Sequence, residues 1–131
     1  NTTDAILVGA GKLGQALLGY SGFAAYGLNI LAAFDAVPAD KSTDGNMPVY
    51  GMEKMESFCR TNKVLMGIIT VPAEYAQAVC DQMIKSGIKA IWNFAPTHLD
   101  VPANILVQNE NMATSLAVLS MHLQAHIKDK K

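Results

Sequence analysis

The sequence predicts an α/β fold, a doubly wound parallel sheet with helices on both faces. Three observations predict it. Apolar runs of strand length alternate with stretches of helical periodicity along the chain. The run Val64-Leu65-Met66-Gly67-Ile68-Ile69-Thr70-Val71 is almost continuously apolar, the pattern of a strand buried on both faces. The first run, Ala5-Ile6-Leu7-Val8, passes directly into Gly9-Ala10-Gly11-Lys12-Leu13-Gly14, a glycine turn that opens a helix.

The elements follow in order. A first strand is expected over residues 5–8. The helix after the glycine turn puts Leu13, Ala16, Leu17 and Tyr20 on one face and stops near Ser21-Gly22. A second strand is expected over residues 29–35, ending in Asp35. Residues 38–46 are polar and carry Gly45, so they read as loop. Pro48-Val49-Tyr50 reads as a short edge strand, where an initial proline is tolerated. Residues 52–61 read as a short helix with Met52, Met55 and Cys59 inward. The fourth strand is expected over 64–71, and Pro72 suits the first turn of the next helix. That helix, over 73–86, turns Ala76, Val79, Cys80, Met83 and Ile84 inward, and Gly87 stops it.

A fifth strand is expected over 90–93, then a proline-containing loop and a sixth short strand over 105–108. Asn109 or Asn111 caps a last helix over 112–127. Its main apolar stripe is Met112, Leu116, Leu119, Leu123 and Ile127, and Val118 and Met121 add a second apolar side. Either this helix covers the edge of its own sheet or part of it meets another subunit. The pattern leaves both open.

The length of 131 residues suits one domain, and half of them are hydrophobic, enough for one core. A dehydrogenase with a separate substrate domain has little chain left for it. The net charge is −1, and no clustered basic surface suggests nucleic acid. The cations at the tail, Lys128, Lys130 and Lys131, read as a solvated end. Cys59 and Cys80 stand far apart without a CxxC pair, so neither a disulfide framework nor a zinc site is expected. No stretch approaches the about 18 continuous apolar residues of a membrane span, and no signal peptide is visible. A cytoplasmic protein with no membrane partner is expected. The chain begins with Asn1 rather than Met, as a piece of a longer protein would.

The glycine turn carries the functional reading. Gly9 permits the tight turn, Gly11 lets a phosphate approach the backbone, and Gly14 lets the helix pack close to the strand. Asp35 stands 21 residues beyond Gly14, near the spacing of about 20 expected for a carboxylate that accepts both ribose hydroxyls. In a Rossmann-like sheet the ligand lies beyond the carboxyl ends of the strands. Four stretches then share one crevice: the turn, Asp35, Thr70-Val71-Pro72 and Asn93-Phe94-Ala95-Pro96. A carboxylate at Asp35 favours NAD over NADP, because it repels a 2′-phosphate and no arginine follows closely. Asn93 is placed to bond a carboxamide or ribose, and Phe94 and Pro96 to line a ring.

No catalytic group stands out. His98 suits a surface loop better than general acid–base work. His122 and His126, four apart on the last helix, lack a third ligand, so no metal is expected. Glu74 suits the first turn of its helix. The residues read as a dinucleotide binder without an evident reaction, not as an enzyme.

At this point the chain resembles a known family. The residues from Gly9 to Leu17 with Tyr20, Ala33-Phe34-Asp35, Thr70-Val71-Pro72-Ala73-Glu74 with Ala76-Gln77, and the run from Gly87 to Pro96 look like the cofactor domain of the redox-sensing transcriptional repressor Rex family. The likeness continues through Leu99, Val101-Pro102 and Leu119-Ser120. The broader class is the CoA-binding Rossmann domain, shared with the alpha subunit of succinyl-CoA synthetase. The resemblance implies a homodimer that senses the NADH/NAD⁺ ratio and releases DNA when NADH closes it. It implies a Rossmann domain over residues 1–110 and, over 111–131, a dimerisation helix and tail swapped onto the partner. It assigns Gly9, Ala10, Gly11, Lys12, Leu13 and Gly14 to the pyrophosphate and Asp35 to the adenosine ribose. Thr70, Val71 and Pro72, with Asn93, Phe94, Ala95 and Pro96, would surround the nicotinamide, and Tyr20 would meet the swapped helix near Asn111 and Met112.

Three departures qualify the likeness. DNA would be bound through an N-terminal winged helix, which is absent from residues 1–131, so this chain by itself is not expected to bind an operator. Asn111 stands where Rex usually has an acid, which removes a charge from the switch. Met112 replaces an aromatic residue near the nicotinamide and is more adaptable. The alternative reading is a stand-alone NAD- or CoA-binding module acting as a subunit or adaptor. A small oxidoreductase is a third.

Overall fold

The computed structural model describes residues 2–9, 11–36, 47–110 and 112–129. Six strands form one sheet: β1 (Thr3–Val8), β2 (Leu28–Asp35), β3 (Val49–Gly51), β4 (Met66–Ile69), β5 (Ala90–Asn93) and β6 (Leu106–Asn109). All are parallel, in the order β3-β2-β1-β4-β5-β6. The order reverses between β1 and β4, and a crevice opens at such a point. The helices are α1 (Lys12–Leu18), α2 (Met55–Asn62), α3 (Ala73–Lys85) and α4 (Met112–Asp129), with a 3-10 helix over Ser21–Tyr26 and a shorter one over Met52–Lys54.

The two faces of the sheet are covered unequally. On one face Ile6, Val8, Ala32, Phe34 and Ile69 pack against Met55 and Cys59 of α2 and against Ala76, Val79, Cys80 and Met83 of α3. The β5–β6 connection crosses the same face and contributes Ala95, Leu99 and Ile105. The register slips between Ala5 and Ile6, where Ile30 and Ala32 are successive partners. Leu31 and Ala32 therefore both turn toward this larger core.

The other face has Ala5, Leu7, Ala33 and Ile68, covered by Leu17 and Leu18 of α1. No described α-helix covers its β5–β6 side, where only the 3-10 helix Ser21–Tyr26 reaches Trp92 through Phe23. A groove of about 760 Å³ runs there, floored by Met66, Ala90, Trp92 and Leu106 and walled by Phe23 and Tyr26. Leu106 is left 72% exposed. Helix α4 is apolar on two sides yet buries none of residues 116–128, and Leu119 is 65% exposed. Over residues 116–128 it does not cover the edge of its own sheet.

Three local expectations are corrected. Helix α1 ends at Leu18, and Ala16 and Tyr20 are exposed, so its inward face is Gly14, Leu17 and Leu18. The fourth strand is Met66–Ile69, half the expected length, which leaves Thr70, Val71 and Pro72 beyond its carboxyl end. Pro72 has extended backbone and caps α3 rather than joining its first turn. The expected loop at residues 38–46 lies outside the described residues.

Candidate functional site

The four stretches grouped in the sequence hang from the same edge of the sheet, each tied to its neighbour's last backbone groups. Gly9 N donates to Phe34 O at 2.9 Å, Thr70 N to Val8 O at 3.0 Å, Phe94 N to Ile69 O at 2.9 Å and Glu110 N to Asn93 O at 2.9 Å. The row joins the end of β2, the glycine turn, the end of β4, the end of β5 and the root of α4.

Within the turn the three glycines differ in surroundings. Gly9 has φ +109°, a conformation that L side chains rarely adopt, which makes the tight turn. A Cβ on Gly14 would fall 1.9 Å from Gly9 O, so α1 reaches the strand only without a side chain there. A Cβ on Gly11 would meet nothing within 4 Å. That position has open space around it and is exposed. The first N–H groups of any helix lack intrahelical acceptors. In α1 no side chain caps them and no acid stands in the first turn. Lys12 adds an exposed cation. By contrast α3 carries Glu74 in its own first turn.

Thr70 fastens this turn. Its hydroxyl lies 2.9 Å from Val8 O and 3.0 Å from Gly9 O, and its single proton is shared between the two carbonyls. Asp35 closes β2 beside the turn and is half-buried. Val71 is half-buried, Pro72 and Pro96 are exposed, and Ala95 is buried.

Asn93 does not match its expected role as a ligand donor. It is fully buried, and its Nδ2 lies 3.2 Å from Ala95 O, 3.1 Å from Thr97 O and 3.1 Å from Asn109 Oδ1. Its Oδ1 accepts from Ala95 N at 3.0 Å. The side chain is committed to folding the loop that carries Phe94, Ala95 and Pro96. Phe94 itself turns to the other face, against Trp92 at 4.7 Å between ring centroids.

Beside the crevice an aromatic row links this loop to the groove. Trp92 meets Phe23 at 5.9 Å and Phe23 meets Tyr20 at 4.8 Å, both edge to face. The Trp92 indole N–H donates to Glu110 at 3.3 Å. Tyr20 is 53% exposed. Sequence reasoning missed Phe23, Trp92 and Glu110. The single tryptophan next to Asn93 was the available signal, but its importance depends on which sheet face lacks a cover. Ala10 and Asn111 lie outside the described residues, as does the side chain of Met112.

The remaining chemistry is sparse. Burial pushes the Cys59 thiol up to about 11, against a smaller opposing pull from Arg60. Burial, aided by Asp81, pushes Cys80 up to about 11 as well. Both thiols are free and buried, and neither is primed as a nucleophile. His98 is exposed after the Asn93 loop, and His122 and His126 are exposed on α4. Among the described residues no three His, Cys, Asp or Glu side chains gather as a metal site. No helix of the described residues is long and apolar enough to cross a membrane.

The model of the CoA binding domain family matches residues 1–97. The redox-sensing transcriptional repressor Rex of Porphyromonas gingivalis is 46% identical over 116 residues, covering 88% of this chain and 53% of that protein. The Rex of Treponema denticola is 42% identical over 121 residues, covering 89% of this chain and 56% of that protein. The chain thus spans about half the length of these relatives. Among solved structures, RSP, a Rex-family repressor, superposes with a TM-score of 0.89 at 35% identity, over 99% of this chain and 63% of RSP. RSP has also been solved with β-NADH, at a TM-score of 0.86, and with β-NAD⁺ and operator DNA, also at 0.86. A crevice edge built on a glycine turn at the β1/β4 reversal, matched over most of the chain by these proteins, places it: the chain belongs to the CoA binding domain family, and its relatives there are the Rex redox-sensing repressors.

Proposed function

We propose that this chain is the NAD(H)-binding, redox-sensing domain of a Rex-type transcriptional repressor and not an enzyme. The observation that carries the reading is the glycine turn. Gly11 has open space where a Cβ would stand, the first turn of α1 has neither a side-chain cap nor an acid, and Asp35 closes the neighbouring strand. Such a turn suits a pyrophosphate, and a carboxylate at the end of the second strand suits a ribose diol. The RSP structures with β-NADH and with β-NAD⁺ support the same ligand.

In this reading the backbone from Gly9 to Gly14 and Lys12 receive the pyrophosphate, and Asp35 receives the adenosine ribose. Thr70, Val71, Pro72, Ala95 and Pro96 form the nicotinamide end, with Phe94 turned to the other face beside it. The nicotinamide supplies a ring that is neutral when reduced and cationic when oxidised. Val71, Pro72 and Pro96 give that end apolar walls, which disfavour a cation and so favour the reduced form. Differential affinity of this kind is what biases a conformational equilibrium.

Residues 1–110 are the cofactor domain and 111–131 the dimerisation helix and tail. Helix α4 leaves the side chains of residues 116–128 exposed, and no described α-helix packs on the β5–β6 half of one sheet face. A homodimer that lays α4 of one protomer on its partner supplies both needs, with Tyr20 beside the root of that helix. Operator binding is placed on a winged helix outside residues 1–131.

Titration calorimetry with NADH and NAD⁺ tests this reading. NADH is expected to bind more tightly than NAD⁺. Asp35→Ala is expected to weaken both by about 10- to 100-fold, the range for a hydrogen bond to a charged group. Equal affinities would remove the sensing role, and no binding of either would overturn the site. A second reading, a CoA-binding module, is favoured by the family match alone. Tight CoA binding with no response to NADH would select it.

A further inference from the structure

We infer that Thr70 is a positioning residue for the pyrophosphate turn, acting through the backbone rather than through contact with the ligand. The inference rests on the reading of that turn as a dinucleotide cradle, and goes beyond it in assigning what holds the cradle's shape.

The turn has little of its own to hold it. Gly9 is the freest residue type and sits at φ +109°. Helix α1 is seven residues long and starts without a side-chain cap. Isolated helices this short do not persist in water, so its geometry comes from what it is docked against. At that docking point the structure places one hydroxyl. Thr70 Oγ1 lies within hydrogen-bond distance of both Val8 O and Gly9 O, the last carbonyl of β1 and the first of the turn.

The same oxygen fills the space beside two of the glycines. A Cβ on Gly9 would come 2.5 Å from it, and a Cβ on Gly14 would come 3.1 Å from it. The hydroxyl therefore sits between the start of the turn and the start of α1, in room that both glycines vacate. Gly9, Gly14 and Thr70 form one unit although they come from opposite sides of the sheet's reversal. The backbone bond from Thr70 N to Val8 O, at 3.0 Å, anchors the threonine itself.

This gives the residue a role that its sequence neighbourhood did not suggest. Thr70 begins the stretch assigned to the nicotinamide end, yet its side chain is spent on the pyrophosphate end. It links the two walls of the crevice across the β1/β4 reversal. A threonine suits the task because its methyl group restricts χ1 and keeps the hydroxyl aimed.

Two variants test it. Thr70→Val keeps the shape and removes the hydroxyl, and Thr70→Ser keeps the hydroxyl. Amide hydrogen exchange on the ligand-free protein reads the turn, and calorimetric titration with NADH reads its consequence. Thr70→Val is expected to speed exchange locally at the hydrogen-bonded amides of the turn and α1, Gly9, Gln15 and Gly19, with the exchange of β5 and α3 unchanged. It is expected to weaken NADH by about 5- to 10-fold, the effect of one lost hydrogen bond. Thr70→Ser is expected to restore both most of the way. Unchanged exchange in the turn would overturn the clamp. Faster exchange with unaltered NADH affinity would overturn the positioning role. Uniformly faster exchange across the sheet would show a merely structural residue. If the unaltered protein fails to bind NADH, the cradle reading falls and with it the positioning role, while exchange still decides the clamp.

Discussion

The two thiols show how far one residue's surroundings set its chemistry. Cys59 on α2 and Cys80 on α3 face the same core, and burial holds both thiols up to about 11. The ordinary value for a thiol is 9.0. A raised folded value means that the folded state keeps its protons after the unfolded state has lost them. Stability from this source is intact below about pH 9 and is lost as pH rises toward about 11. Chemical denaturation at stepped pH should show a fall across that window, smaller in a Cys59→Ala, Cys80→Ala variant measured against its own neutral-pH value. At neutral pH a thiol reagent should label neither cysteine without denaturant. Helical spacing made their burial legible in advance, and the low reactivity follows from it.

At the scale of elements, the sequence was most legible where a pattern is local. The apolar run before the glycine turn, the run around Ile68, and the spacing of Ala76, Val79, Cys80 and Met83 each depend on nearest neighbours, and each became a strand or helix, the run around Ile68 at half its expected length. Asn93 was misread because its partners, Thr97 and Asn109, come from a turn and a neighbouring strand that only the fold brings together. Its amide now makes a direct prediction about the β5–β6 connection. Asn93→Ala should destabilise the domain by about 1–3 kcal/mol, by leaving buried groups unpaired. Asn93→Asp should cost more at neutral pH, although it is the closer match in shape. It would place a carboxylate oxygen against three acceptor oxygens in a buried site. Thermal melting of the two variants against the parent orders them, and a milder effect of the aspartate would contradict the assigned bonds. The groove was illegible for a different reason. Phe23, Trp92 and Leu106 look like ordinary core residues, and only the absence of a covering helix turns them into a surface.

At the scale of the molecule, that absence and the unpartnered α4 are complementary. Burying one leucine side chain is worth about 1.5–3 kcal/mol, and α4 offers Leu116, Leu119 and Leu123 among its exposed side chains. Sedimentation should find a dimer. The double variant Leu119→Arg, Leu123→Arg should raise its dissociation constant by at least about 100-fold, the equivalent of two such side chains. An unaltered dimer in that variant would remove α4 from the interface. Emission from Trp92, the protein's one tryptophan, offers an independent readout, since its ring floors the groove.

The half-covered sheet has a consequence for how such a chain fares in a cell. If each protomer's missing layer is carried by another copy, the folded fraction depends on how many copies there are. A scarce chain would then be exposed to proteolysis until it meets its like, and an abundant one would be long-lived. Supply would regulate lifetime, with Leu106 and its neighbours acting as the exposed tag of an unmatched copy.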